Sequence, residues 1–314
     1  PHLAVNGAVL LAVLAIGVLV YFIHHISDSV QVWTLARQVR TDLLATVDRL
    51  YPQRIGEDTT EVEGAEGGRD ILDRLEVDGV PASSNKIGYV QGIDHGDLLA
   101  LTSDRNLVVS LQIRPGSYSM EGAMLATVWP ADRVDDDVLA RIRKAVRIGQ
   151  ARTPHEDVEF AVLLLEEMAV RALSPGTNDP YTAINALDDL SAGLARLAGR
   201  DSPSIYRYDE QGELRVVAPG RNLMDLVDHL VDAMRRYAIG HPTVLHRTLA
   251  LLEQVGAVST QPDALARMDA HAQRLAEAFS ISSAQEYDAE KLNRHAAQVQ
   301  GSLADRLSTQ LSRS

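Results

Sequence analysis

Apolar side chains occupy almost every position from Leu3 to Ile23 (LAVNGAVLLAVLAIGVLVYFI), with Asn6 the one polar group and no charge. About 20 such residues, each rising about 1.5 Å, match the roughly 30 Å hydrocarbon core of a bilayer. The run therefore predicts a transmembrane helix. It lacks the basic n-region of a signal peptide and exceeds a usual h-region. With Pro1 rather than Met at the start, further chain is expected ahead of it. Ala4, Ala8 and Ala12 recur on one face at the spacing that lets helices approach closely in lipid. Tyr21, Phe22, His24 and His25 fall where amphipathic rings favour the headgroup level. The period then changes. Ile26, Val30, Trp33, Ala36, Val39, Leu43, Val47 and Leu50 form one stripe, opposite Asp28, Gln31, Arg37, Gln38, Asp42 and Asp48. That spacing predicts an amphipathic stalk ending at Tyr51-Pro52, whose apolar stripe needs a partner in its own body or in a neighbouring subunit.

Glu57–Asp70 is acidic and glycine-containing, as a linker or surface loop is. Ile87–Ile93, Leu107–Ile113 and Ala123–Trp129 have the β-branched content of strands, with a short helix at Asp97–Asp104 and turn chemistry at Arg114-Pro115-Gly116 and Glu121-Gly122. The rhythm resembles a lipoyl or barrel-sandwich module, but no lysine sits at a hairpin tip to carry a swinging cofactor. From Asp135 the pattern turns helical. Val138 through Ile148 predicts one helix closing near Gly149, and Thr153-Pro154-His155-Glu156 reads as a capping box opening a helix to Arg171. Ser174-Pro175-Gly176 breaks the chain, and Asp179-Pro180 opens a helix to about Leu197. A hairpin over 204–218 follows, turning at Asp209–Gly212. Further helices start near Asn222, at Pro242, at Pro262 and, through a second capping box, at Ser283–Glu286. The last carries Leu292, Val299, Leu303, Leu307 and Leu311, a stripe suited to a bundle or a subunit contact.

Net charge of -13 argues against nucleic acid, whose phosphates need a basic surface. The absence of cysteine removes disulfide and thiol chemistry, and 4% aromatic residues imply an aliphatic, helical core. There is no HExxH, GxSxG, Walker A or glycine-rich dinucleotide loop. Glu166 and Glu167 diverge by about 100° on a helix and do not face one substrate. His155, His241 and His246 stand isolated, and the adjacent His24 and His25 have no evident third ligand. No cofactor or metal is expected on these grounds, and the sequence leans away from an enzyme without deciding the point.

Several stretches together resemble a known family. These are His24-His25-Ile26 after the apolar run, Gly88-Tyr89-Val90-Gln91 with Ile93-Asp94, Arg152-Thr153 with Asp157, and Ala172-Leu173-Ser174-Pro175-Gly176-Thr177-Asn178-Asp179-Pro180. They look like a bacterial family of predicted integral-membrane proteins, domain of unknown function 2254. The resemblance implies several membrane helices, of which Leu3–Ile23 would be the last, and brings no reaction. Thr177 departs from the aliphatic residue expected there.

The patterns predict a membrane protein of α+β class: a last transmembrane helix over 1–25, an amphipathic stalk over 26–52, an acidic linker over 53–78, a small β-barrel or sandwich-like module over 79–131, and a mostly helical domain over 132–314. Its expected role is structural or transport-related, channel-like in one version, in a homo-oligomer held by the lipid bilayer of the inner (plasma) membrane. Arg37 and Arg40 tilt the body towards the cytoplasm. The alternative is a membrane-tethered enzyme or ligand sensor, with Arg152, Asp157, Ser174, Asn178 and Asp179 as candidate ligand or assembly residues. On one helix the first two lie roughly 25 Å from the other three.

Overall fold

The computed structural model describes residues 2–29, 32–51, 65–200, 204–220, 222–282 and 285–312. The chain opens with helices α1 (His2–Ser29), α2 (Val32–Leu50) and α3 (Ala65–Asp78). An α/β stretch follows: β1 (Val80–Ser83), β2 (Gly88–Ile93), α4 (His95–Arg105), β3 (Val108–Leu111), β4 (Tyr118–Ser119), β5 (Met124–Trp129), α5 (Asp136–Ala145) and β6 (Val146–Gly149). Helices α6 (Val158–Ala172) and α7 (Pro180–Ala198) lead to the hairpin β7 (Tyr206–Tyr208) and β8 (Leu214–Val217). Four helices end the chain: α8 (Leu223–Tyr237), α9 (Pro242–Val258), α10 (Pro262–Ser282) and α11 (Glu286–Leu311). The stretch 53–64 of the expected linker, the stripe residue Val30, the side chains of Ala4, Phe22, His24, His25, Ile26 and Trp33, and Ser283 of the expected capping box lie outside the described residues.

Two expectations of fold class are corrected. Among the described residues no helix is long and apolar enough to cross a membrane. Nor does a barrel close among these residues. The strands form two open sheets, β1-β5-β3-β8-β7 and β4-β2-β6, and the molecule is α+β. The reason is long-range pairing. The late hairpin adds β8 parallel to β3, with Val109 opposite Val216 and Ser110 opposite Val217, so the first sheet grows at an edge that a barrel would have closed. Arg215 fixes that join by donating to Asp209 at 2.6 Å and to Asn106 at the end of α4 at 2.5 Å.

The two sheets share one core, in which Val90, Leu98, Val109, Leu125, Ile142 and Val216 are buried together. Helix α5 stops at Ala145 because the β-branched Val146-Arg147-Ile148 pairs with β2, Ile148 opposite Val90 and Val146 opposite Ile93. The helix expected to run on to Ile148 is therefore shorter, and α3 occupies the second half of the stretch read as a linker.

The second core is helical. Ala36, Val39, Leu43 and Val47 of α2 are buried with side chains of α6 and α7. Gly193 of α7 admits Leu43, since a Cβ there would lie 2.2 Å from Leu43 Cδ2. Arg40 pairs with Asp189 at 3.1 Å and Arg196 with Asp48 at 2.7 Å, while Arg200 reaches both Asp48 and the carbonyl of Tyr51. The stripe of the expected stalk is thus satisfied within its own chain from Ala36 to Val47. Helix α11 buries Leu292, Ala296, Val299 and Leu303 of its stripe, while Leu311 at its end is exposed.

Candidate functional site

Where the sheet unit meets the helical body, a cavity of about 810 Å³ opens. Its walls come from five places in the chain: the end of α2, the β2–α4 junction, the turn after β3, the α5–β6 junction, and the segment leading into α6. The hairpin supplies the rest through Ser204, Arg207 and Ala218. That volume lies within the usual range for small-molecule sites, about 300–1,000 Å³.

Asp157 anchors one wall. It is the N-cap of α6, accepting from the Phe160 amide at 3.0 Å. Arg152 grips the same carboxylate with two bonds, Nε at 2.7 Å and Nη2 at 2.9 Å, and also reaches Glu159 at 3.2 Å. The pair is sequestered, with side-chain exposures of 17% and 3%. Burial pushes the Asp157 carboxyl above the ordinary aspartate range, against the opposing pull of Arg152 and the Phe160 amide. Gly116 closes over it with φ of +87°, and a Cβ there would lie 2.3 Å from Asp157 Oδ2. The Arg114-Pro115-Gly116 turn is thereby docked on the Arg152–Asp157 pair.

Glu156 anchors a second wall. It accepts from the Ile93 amide at 3.0 Å and from Arg147 at 2.6 Å, which binds the segment before α6 to β2 and β6. This is why the expected capping box does not form: Glu156 is committed to β2, so the helix starts four residues later than Pro154, with Asp157 as its cap. Thr46 of α2 donates to the Pro154 carbonyl at 2.7 Å, fastening α2 to the same segment.

The carboxylates that line the cavity are spoken for. Asp97 pairs with Arg141 at 3.0 Å, Glu156 with Arg147, and Asp157 and Glu159 with Arg152. Asp94 caps α4, accepting from the Asp97 amide at 2.9 Å. Four cations on the same walls, Arg49, Arg114, Lys144 and Arg207, have no carboxylate partner among the described residues, and Arg49 lies 3.4 Å from His155 Nδ1. Arg207 donates to the Ser204 carbonyl at 2.8 Å, and burial pulls its guanidinium below the ordinary arginine range. His95 Nδ1 is buried without a hydrogen-bond partner. Burial first, and then the charge of Arg207, hold His95 below the ordinary histidine range, with Glu156 and Asp94 opposing.

Of the residues singled out from sequence, Arg152 and Asp157 meet at this cavity. Ser174, Asn178 and Asp179 do not. They form the turn at the other end of α6, about 22 Å away for its fifteen residues. Asn178 has φ of +47°, its amide donates to the Ser174 carbonyl at 2.8 Å, and Asp179 caps α7 by accepting from the Thr182 amide at 3.1 Å and its hydroxyl at 2.5 Å. Those two bonds from Thr182 hold the Asp179 carboxyl below the ordinary range. Glu166 and Glu167 diverge as their spacing implies: the first is buried near His229 at 3.4 Å, the second pairs outside with Arg171. Sequence reading missed His95, Arg114, Lys144 and Arg207. They span more than a hundred positions of the chain, and Arg207 joins the other three only when the hairpin adds to β3. The Arg-Pro-Gly turn was the one local signal among them.

A family model described as "Predicted membrane protein (DUF2254)" matches residues 1–254. Uncharacterised proteins of Mycobacterium bovis and of Mycobacterium tuberculosis strain H37Rv are each 32% identical to the chain over 266 residues, covering 83% of this chain and 50% of theirs. The chain therefore spans about half the length of the curated relatives it matches. No solved structure matches it significantly.

Proposed function

The chain belongs to the DUF2254 family of predicted membrane proteins, and from that premise we propose that it is a membrane-associated ligand-binding protein of the sensor type. The cavity at the junction of the sheet unit and the helical body carries this reading. Helix α1 supplies the lipid contact. Its large apolar side chains from Val5 to Val20 are all more than half exposed. Helix α2 follows α1 in sequence, and its last residues, Arg49, Leu50 and Tyr51, line the cavity. A ligand held between α2 and the sheets stiffens the element that lies next to α1, which is the coupling a sensor needs.

Two experiments test this. Flotation with liposomes should carry the intact chain, and Leu10→Asp with Leu14→Asp should leave it in the soluble fraction. Both leucines are exposed, so neither change disturbs the fold. Equal flotation of both proteins rejects the lipid contact. Thermal melts against a panel of small metabolites should find at least one that stabilises the chain, with the gain abolished by Ser204→Trp, an exposed position on the cavity rim. A panel that shifts nothing rejects the ligand reading.

The second reading is a homo-oligomer with a structural or transport role in the inner membrane, its body on the cytoplasmic side. Ala8 and Ala12 on the exposed α1 favour close approach of a second copy. The stripe of α2 from Ala36 to Val47 and that of α11 from Leu292 to Leu303 no longer argue for it, being covered within the chain. Light scattering of the detergent-solubilised protein distinguishes the two, and ion flux into proteoliposomes no greater than into empty ones rejects the channel version.

A further inference from the structure

We propose that the cavity takes a free, phosphorylated small molecule, its phosphate held by Arg114, Lys144 and Arg207 at the amino end of α4. This rests on the reading of the cavity as a ligand site and adds the chemistry of the ligand. The chain carries a net charge of -13, yet among the described residues the charged groups left unpaired on these walls are all positive, while each lining carboxylate already has an arginine or a capped amide. A buried or half-buried cation without a counter-ion is costly unless a ligand supplies the missing charge. Arg207 is half-buried and is bonded only to the Ser204 carbonyl. The first amides of α4 have no intrahelical acceptor and lie at the positive end of the helix, the arrangement that receives phosphate. His95 opens that helix and keeps its Nδ1 buried and unpartnered beside the cavity.

The size of the cavity says that the ligand is more than an ion. A volume of about 810 Å³ holds an organic body as well as a phosphate, and Ile93, Leu111, Ile113 and Ala218 offer it an apolar wall. Its position says that the ligand is free in solution. Arg49 stands near the far end of α2, about 26 Å along the helix from Val32, which favours a free ligand over a headgroup beside α1 as the source of the phosphate.

The test is calorimetric titration of the intact chain with adenosine 5′-monophosphate, inorganic pyrophosphate and adenosine as probes. The two phosphates should bind and adenosine should not. Arg207→Gln and Arg114→Gln should each weaken binding by about tenfold or more, as loss of a charge-assisted bond does. Arg207→Lys should restore part of it, and Arg105→Gln, an exposed arginine paired with Asp135 outside the cavity, should change nothing. If the glutamine variants fail to fold, the salt dependence of binding to the unaltered chain serves instead, and a flat dependence overturns the proposal. Binding of adenosine as tight as its monophosphate, or binding indifferent to both arginines, also overturns it. Displacement of the probe by phosphatidylglycerol vesicles, and not by phosphatidylcholine vesicles, overturns the free-ligand assignment in favour of a headgroup. If the phosphates fail while another metabolite binds and is lost in Ser204→Trp, the anion assignment falls and the cavity reading stands. If nothing binds, both fall.

Discussion

Arg152 and Asp157 do two jobs at once, and their substitution separates them. The carboxylate caps α6 and neutralises a guanidinium that is itself largely enclosed. Arg152→Met leaves a buried carboxylate with one amide for company, which costs about 3 kcal/mol by the measure of broken buried pairs. Chemical denaturation should show that loss, and a change under about 1 kcal/mol would mean that water already reaches the pair. Gly116→Ala attacks the same pair from above. An L-residue is strained at φ of +87°, and its Cβ would occupy the space of Asp157 Oδ2. The expected loss is about 2 kcal/mol, with most of it recovered in the double variant Gly116→Ala with Asp157→Ala if the clash dominates over the backbone strain. Arg152 and Asp157 were singled out in the sequence by the family resemblance of their stretch, and nothing in their spacing announced the ion pair. Which residue caps the helix was not legible either. Thr153 and Glu156 satisfy the capping-box spacing, but Glu156 is worth more bonded to the Ile93 amide and Arg147 than reaching back to its own helix.

At the scale of elements, the sequence revealed periodicity and hid pairing. Helices α7, α8, α9 and α10 begin at the capping residues or prolines that mark them, because those signals act within one turn. The partner of β8 and the fate of Val146–Ile148 depend on strands distant in sequence, and no local window contains them. The same holds for α2, whose stripe was legible while its partner was not. Leu43→Ala should cost about 3 kcal/mol, as for a fully buried leucine, and Gly193→Ala should destabilise through the same contact. Helices α9 and α11 carry a second, pH-dependent contact. His246 and His295 stack with ring centroids 5.1 Å apart and Nδ1 atoms 2.9 Å apart. Burial, His295 and Lys291 hold His246 below the ordinary histidine range, and Asp288 opposes them. Because the folded value is lowered, the unfolded chain binds the proton more readily. This contribution to stability is present above about pH 6.5 and is lost as the pH falls through that value. Melts between about pH 7.5 and pH 5 should show the loss, and His295→Gln, which removes one of the groups that lower the His246 value, should make it smaller.

For the whole molecule, the cavity is the seam between a sheet core and a helical core. A ligand seated there touches α2, the sheets and the hairpin together, so its binding energy is shared by both cores. At a hundredfold excess over its dissociation constant a ligand adds about 2.7 kcal/mol to the state that binds it. If the two cores unfold as one unit, that gain moves a single transition. If they unfold separately, only the transition that opens the seam moves, and calorimetry of the intact chain with and without adenosine 5′-monophosphate tells which. His95 adds a proton to this balance. In the empty cavity burial and Arg207 disfavour its charged form, with Glu156 and Asp94 opposing. An anion beside Arg207 offsets that repulsion and gives the imidazolium a partner, so its pKa rises on binding and a proton is taken up. Affinity should therefore gain, relative to His95→Gln, as the pH falls through the ordinary histidine range near 6.5. The comparison with His95→Gln matters because phosphate itself loses charge near pH 6 and weakens binding in both proteins alike. Identical pH profiles for the two proteins would show that the bound anion does not reach His95, and would move it towards Lys144 and the Arg114 turn.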